Sequence, residues 1–203
     1  MKKIKPLHVL SFPIVFLLGS LPSMIAGRSL FSIIGIYINQ TNEYQDLVLN
    51  APSVFQLFGN VEYENFKYFG MFLTAFVALC FVYVCYVYRE KIGEKDMVTI
   101  FFISSLLMPY FLPCMHDRYF FVADVLSVLV FLYDRNKWYV PIFTILASFG
   151  CYYYYLMGGI TLIDQRLTAL SLLVVLVIVT RDFIKNISLR NSVEITQTPI
   201  IQE

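Results

Sequence analysis

Charge is what this chain has least of. Lys, Arg, Asp and Glu together make up 14% of its 203 residues, where a soluble domain carries about a quarter. The formal net charge of +1 offers none of the basic excess that attracts a nucleic-acid backbone, so no nucleic-acid partner is expected. There are two histidines and four cysteines, and Cys80, Cys85, Cys114 and Cys151 show neither a CxxC nor a Cys/His spacing, so no zinc site is expected. Each cysteine lies in or at the end of an apolar block and reads as a small buried hydrophobe. Internal repeats and low-complexity tracts are also missing. The lack of an inverted repeat weakens the case for a small transporter.

What fills the chain instead is hydrophobic sequence, 59% of all residues. It comes in blocks of roughly 20 residues, the length that crosses a bilayer as a helix. The reading is an all-α polytopic membrane protein with about six transmembrane helices, near 7–26, 66–88, 97–114, 119–133, 138–158 and 166–183. Residues 1–186 then form a single transmembrane domain and 187–203 a polar tail. Lys2, Lys3 and Lys5, the loop "REKIGEKD", the short link "DRNK" and the cations Arg181, Lys185 and Arg190 all fall on one side of such a map. The positive-inside rule makes that side, and both termini, cytoplasmic. The loop 27–65, the "MHDR" turn and the "GGITLIDQR" turn then face outward together. The basic, apolar N-terminus also has the outline of a cleaved signal peptide, but Pro13, Pro22 and the length of its apolar stretch argue for a retained span.

Within the first outer loop, Leu30, Ile33, Ile34, Tyr37 and Ile38 recur at helical spacing. That pattern predicts a short amphipathic helix lying flat at the outer interface. Asn50-Ala51-Pro52 and Gly59-Asn60 read as turns.

The polar residues that stand out are in "LPCMHDRYFFVAD", residues 112–124. Pro109 and Pro113 break the preceding helix, and His116, Asp117 and Arg118 follow at the outer water–lipid boundary. A plain interfacial turn accounts for polar residues there. An anion site accounts for these particular ones, because Arg offers a two-pronged donor and His a donor or proton carrier. Asp124 lies inside the next span, where an acid normally faces protein or water, and a hydrogen bond to a neighbouring helix is its plainer role. Glu62, Glu64, Glu43 and Asp46 in the outer loop read first as solvated surface, with Asp46 kept as a weak candidate base. "CYYYYLMGG" reads as an interfacial aromatic belt before a sugar-stacking platform.

Two blocks carry a resemblance. Leu49-Asn50-Ala51-Pro52-Ser53, followed by Met115-His116-Asp117-Arg118-Tyr119-Phe120-Phe121 with Ala123-Asp124, resembles the C-terminal half of bacterial GT-C membrane glycosyltransferases. The nearest group is the one related to the second mannosyltransferase of GPI-anchor synthesis. Its pattern has Asn where this chain has Ser53, and Glu where it has Asp117. The resemblance covers roughly residues 5–185. It implies transfer of a mannose-like hexose from a polyprenyl-phosphate carrier, the donor substrate, to an acceptor on the outer face of a bacterial cell membrane. It also implies that His116 and Arg118 hold the lipid phosphate, with Asn50 and Tyr119 in the same substrate site. The leaving phosphate gains charge there, and fixed donors stabilise it.

Family members are about twice as long and take their catalytic carboxylate from an outer loop near the N-terminus, a region without a counterpart here. The resemblance therefore implies one of three things: a fragment or split-gene product, a chain whose other half is a separate polypeptide, or a chain that no longer catalyses. Asp117, Asp46 and Asp124 remain the weak candidates for a base. No metal or other cofactor is legible. The rival readings are a non-catalytic subunit that binds a lipid-linked sugar or assists assembly, and a small transporter of lipid or anion with Arg118 and Asp124 in its path.

Overall fold

The computed structural model describes residues 6–43, 46–59 and 63–190. Lys2, Lys3, Lys5, Glu62 and most of the expected polar tail, 191–203, lie outside the described residues. The fold is nearly all helical. Two compact units divide the chain, Met1–Gln45 and Asp46–Glu203.

The first unit holds helices α1, Pro6–Ile25, and α2, Leu30–Glu43. Between them Gly27 takes φ +94°, a conformation open chiefly to glycine. The amide of Gly27 donates to the carbonyl of Met24, and that of Arg28 to Ser23, which closes α1 with bonds of the Schellman kind. The hydroxyl of Ser29 then accepts from the amide of Ser32 and starts α2. The segments Pro13–Ile25 and Leu30–Ile36 meet at a bend of 111°. A helix was expected over 27–40; the observed one begins at Leu30 and runs on through "NQTNE".

The second unit contains α3, Tyr63–Val87; α4, Glu94–Phe111; α5, Phe121–Tyr133; α6, Tyr139–Leu156; and α7, Gln165–Leu189. Helix α4 packs on α3, α5 and α7, and α6 packs on α5 and α7. Residues between the helices are often small: Gly70, Ala123, Ser127, Thr144, Ala147, Ser148, Cys151 and Ala169 are buried. Large residues point outward: Phe72, Leu79 and Tyr83 are 76%, 68% and 67% exposed. Small residues inside with large apolar ones outside is the arrangement of helices that pack in lipid. The Tyr110 hydroxyl donates to the carbonyl of Ala169, tying α4 to α7 at 3.0 Å.

Among the described residues two helices, α3 and α7, are each long and apolar enough to cross a membrane, and the bent pair in the first unit is a third candidate. These helices point to membrane association. The six expected spans correspond in position to α1, α3, α4, α5, α6 and α7. Helix α5 has 13 residues, about 20 Å of rise against a hydrocarbon core of about 30 Å; the 3-10 turn Asp117–Phe120 leads into it, while the turn Arg135–Lys137 is set off from it by the extended Asp134 and leads into α6. Helix α4 stops at Phe111 rather than 114, because Leu112 precedes a proline and takes the extended conformation (φ −76°, ψ 134°). Helix α7 continues past the expected end at 183. None of the four cysteines is in a disulfide; Cys151 is buried as expected, but Cys80 is exposed on α3.

The loops segregate to the two ends of the second unit. At one end the Arg190 guanidinium pairs with the Asp96 carboxylate through two bonds, the longer at 3.1 Å. Arg190 also donates to the carbonyl of Lys91, and the Lys91 ammonium to that of Ser188, each at 3.2 Å. The basic loop "REKIGEKD" and the end of α7 therefore meet. Asp96 also accepts from the amide of Gly93 at 2.8 Å, capping α4. The opposite end gathers 46–59, 112–120 and the start of α7.

Gly70 on α3 lets that opposite end close. A Cβ there would lie 2.5 Å from the Phe55 ring and 3.2 Å from Pro113, and Phe55 is itself buried. Gly70→Val is expected to cost about 1–3 kcal/mol through overpacking, read as a lower unfolding midpoint in detergent. An unchanged midpoint would mean that Phe55 and Pro113 yield freely.

Candidate functional site

Two very short strands join the segments that carry the resemblance. Val48–Leu49 (β1) and Met115–His116 (β2) pair in parallel, with Val48 opposite Met115 and Leu49 opposite His116. The amide of Cys114 extends the pairing by donating to the carbonyl of Leu47 at 2.9 Å. Both strands border a residue with positive φ, Asn50 at 57° after β1 and Cys114 at 60° before β2. Asparagine tolerates this region; cysteine is held there at a cost of about 1–3 kcal/mol. These reversals turn the chain out of α4 and across the end of the bundle.

Asn50 sits at the centre of a chain of side-chain amides. Its Nδ2 donates to the carbonyl of Cys151 on α6 at 2.7 Å and to Asp117 Oδ2 at 3.3 Å. Its Oδ1 accepts from Gln165 Nε2 at 2.7 Å. Gln165 Oε1 in turn accepts from Gln56 Nε2, also at 2.7 Å. Every amide in the series donates toward the Asp117 carboxylate, an ordering in which each bond polarises the next. The other carboxylate oxygen, Asp117 Oδ1, accepts from the amide of Arg118 at 2.7 Å.

Next to this network lies a cleft of about 480 Å³, lined by Val48, Leu49, Asn50, His116, Asp117, Arg118 and Tyr155. The Arg118 side is exposed and the His116 and Asp117 sides are half-buried. Burial, and then the Arg118 charge, hold the His116 imidazole below its ordinary pKa of 6.5, with Asp117 pulling the other way. At neutral pH this histidine is a neutral hydrogen-bonding group, and Arg118 is the cation of the cleft.

Of the residues singled out in the sequence, Asn50, His116, Asp117 and Arg118 come together here. Tyr119 does not line the cleft; it is 48% exposed, with its ring 6.2 Å from that of His116. Asp46 is exposed and lies outside the lining. Asp124 is on α5, where its carboxylate accepts from the Ser148 hydroxyl of α6 at 2.9 Å. That is the helix-to-helix role. Gln56, Gln165 and the carbonyl of Cys151 were not visible as partners in the sequence; Tyr155 belongs to the run of tyrosines read there as an interfacial belt before a sugar-stacking platform. Ser53, at the position where the family pattern has Asn, is 1% exposed, and its hydroxyl has no hydrogen-bond partner among the described residues. Among the described residues no group of three or more His, Cys, Asp or Glu side chains could hold a metal ion.

Comparison with known proteins found no matching family model, no matching curated protein and no matching solved structure.

Proposed function

We propose that this chain is the carrier-binding part of a membrane glycosyltransferase, with six spans, both termini cytoplasmic and the cleft on the outer face of a bacterial cell membrane. The observation that carries the reading is the pairing of β1 with β2, which brings Asn50 and the "MHDR" turn to one cleft. In this reading Arg118 holds the phosphate of a polyprenyl-phosphate-linked hexose through charge-assisted bonds. His116 adds a neutral hydrogen bond, and Asn50 and Tyr155 face the sugar. As the sugar departs, negative charge grows on the phosphate, and a guanidinium already in place stabilises it without reorganisation.

Asp117 is the only carboxylate that lines the cleft among the described residues. Its oxygens are engaged by Asn50 and by the amide of Arg118, which suits an orienting group better than a base. The proposal therefore takes the general base from another segment or a partner polypeptide. The same engagement supports a second reading, a subunit that binds the lipid-linked sugar and transfers nothing.

The test is binding of short-chain polyprenyl-phosphoryl-mannose to the detergent-solubilised chain. The wild type is expected to bind. Arg118→Ala removes a bond to a charged group worth about 1.5–3 kcal/mol, so affinity is expected to fall about 10- to 100-fold. His116→Gln is expected to bind slightly less well at pH 7.5. In the wild type, binding tightens as the pH falls toward and below 6.5, because the bound anion favours the protonated imidazole over the lowered value of the free site. His116→Gln is expected to abolish that dependence. Absence of wild-type binding, or equal binding by both variants, would sink the proposal. Sugar transfer by the chain alone would instead put the base within it and overturn the non-catalytic reading.

A further inference from the structure

A larger cavity, of about 750 Å³, lies on the outside of the second unit between α3, α4 and α7. It is a groove rather than a chamber. Val77 and Val84 of α3, Leu107 and Phe111 of α4, and Leu173 and Val177 of α7 form its apolar length. Arg181, Lys185 and Ser188 close one end. From Leu173 to Ser188, α7 rises about 22 Å, enough for a headgroup together with the roughly 15 Å of one leaflet's hydrocarbon.

The charges are all at the end that carries the basic loop. Arg181 and Lys185 are exposed and one helical turn apart on the same face, a like-charged pair that is unfavourable when nothing lies between. Among the described residues neither enters an ion pair. The neighbouring Asp96 is already committed to Arg190, and the Lys91 ammonium adds a third cation on the carbonyl of Ser188. An apolar groove with one cationic end matches one ligand chemistry, an acyl chain joined to a phosphate.

We infer that this groove binds an anionic phospholipid, with an acyl chain along α3 and α7 and the headgroup phosphate between Arg181 and Lys185. The site lies at the end of the bundle opposite the cleft and uses none of its residues. Basic pockets between membrane helices select anionic headgroups in this way. The inference requires only that the second unit sits in a bilayer, so it stands or falls apart from the proposed sugar chemistry.

The full chain would be reconstituted from phosphatidylcholine vesicles with and without phosphatidylglycerol, extracted, and weighed by native mass spectrometry. One retained phosphatidylglycerol per chain, in preference to phosphatidylcholine, is expected. Each cation near the membrane surface is worth about fivefold in affinity, so R181Q/K185Q is expected to lose roughly 25-fold and with it the preference between the lipids. Val177→Trp, a substitution at an exposed position in the groove wall, keeps both charges and is expected to release the lipid by filling the acyl path. Retention of phosphatidylglycerol by both variants would overturn the inference. So would a dimer that forms with loss of lipid, because the groove would then be an interface between copies, and so would displacement of the lipid by inorganic phosphate alone.

Discussion

Asn50→Leu is expected to be the most damaging single substitution in the second unit. The side chain makes three hydrogen bonds, to Cys151, Asp117 and Gln165, each worth about 0.5–1.5 kcal/mol net. Leucine also pays about 1–2 kcal/mol for the left-handed backbone that asparagine accepts. The sum is about 3 kcal/mol or more, read as a fall in the unfolding midpoint in detergent. Two further variants separate the causes. Asn50→Gly removes the hydrogen bonds but keeps the backbone free to take φ 57°, so it is expected to do less harm than leucine. Asn50→Asp keeps an acceptor for Gln165 but sets a second carboxylate against Asp117, and is expected to harm binding in the cleft more than folding. A leucine variant as stable as the wild type would mean that the amide series is not what holds the cleft together.

The second large effect lies at the other end of α4. Asp96 is 9% exposed, and its carboxylate both pairs with Arg190 and caps the helix through Gly93. Losing the cap costs about 0.5–2 kcal/mol. Removing one partner of a fully buried pair costs about 3–5 kcal/mol, but the Arg190 side chain keeps 35% exposure and can turn to water. Asp96→Ala is therefore expected to lose about 2–4 kcal/mol in all. Asp96→Asn retains a cap acceptor and is expected to lose less. Both should leave ligand affinity in the cleft unchanged, since α4 separates the two ends by about 27 Å. A parallel loss of affinity would show that the ends are coupled. By contrast, the exposed pair Arg89–Glu90 should contribute almost nothing measurable.

How much of this was legible beforehand follows from what each signal depends on. The helices under the apolar blocks could be read because lipid imposes one solution on a free backbone. Their lengths could not. Hydropathy drops where a helix meets water, yet the helix itself need not stop: Arg181, Lys185 and Asn186 are compatible with helix, and α7 continues to Leu189. The same holds for α2 through "NQTNE". Proline set a limit too, but not where it was expected: α4 runs through Pro109 and ends at Phe111, short of 114, with Leu112 extended before Pro113. In the cleft, His116, Asp117 and Arg118 were visible because polar residues are rare between apolar runs. The pairing of Leu49 with His116 was not, because strands of two residues leave no periodicity to read. Gln56 and Gln165 look like ordinary polar residues in the sequence, and only their distances to each other and to Asn50 show what they hold.

The hydrogen bond between Asn50 and Gln165 joins residues 115 apart in the chain, and that separation sets an order in time. During synthesis at about 5–20 residues per second, Gln165 follows Asn50 by roughly 6–23 s. Through that interval the loop after β1 waits, with its amide partner not yet made, while α3 to α6 are synthesised. Local helix contacts form early, and the long-range closure must follow them. The amide series beside the cleft is therefore complete only once the start of α7 is in place. A chain stopped before α7 would keep every residue that lines the cleft but would lack Gln165, and with it the link from Asn50 to Gln56.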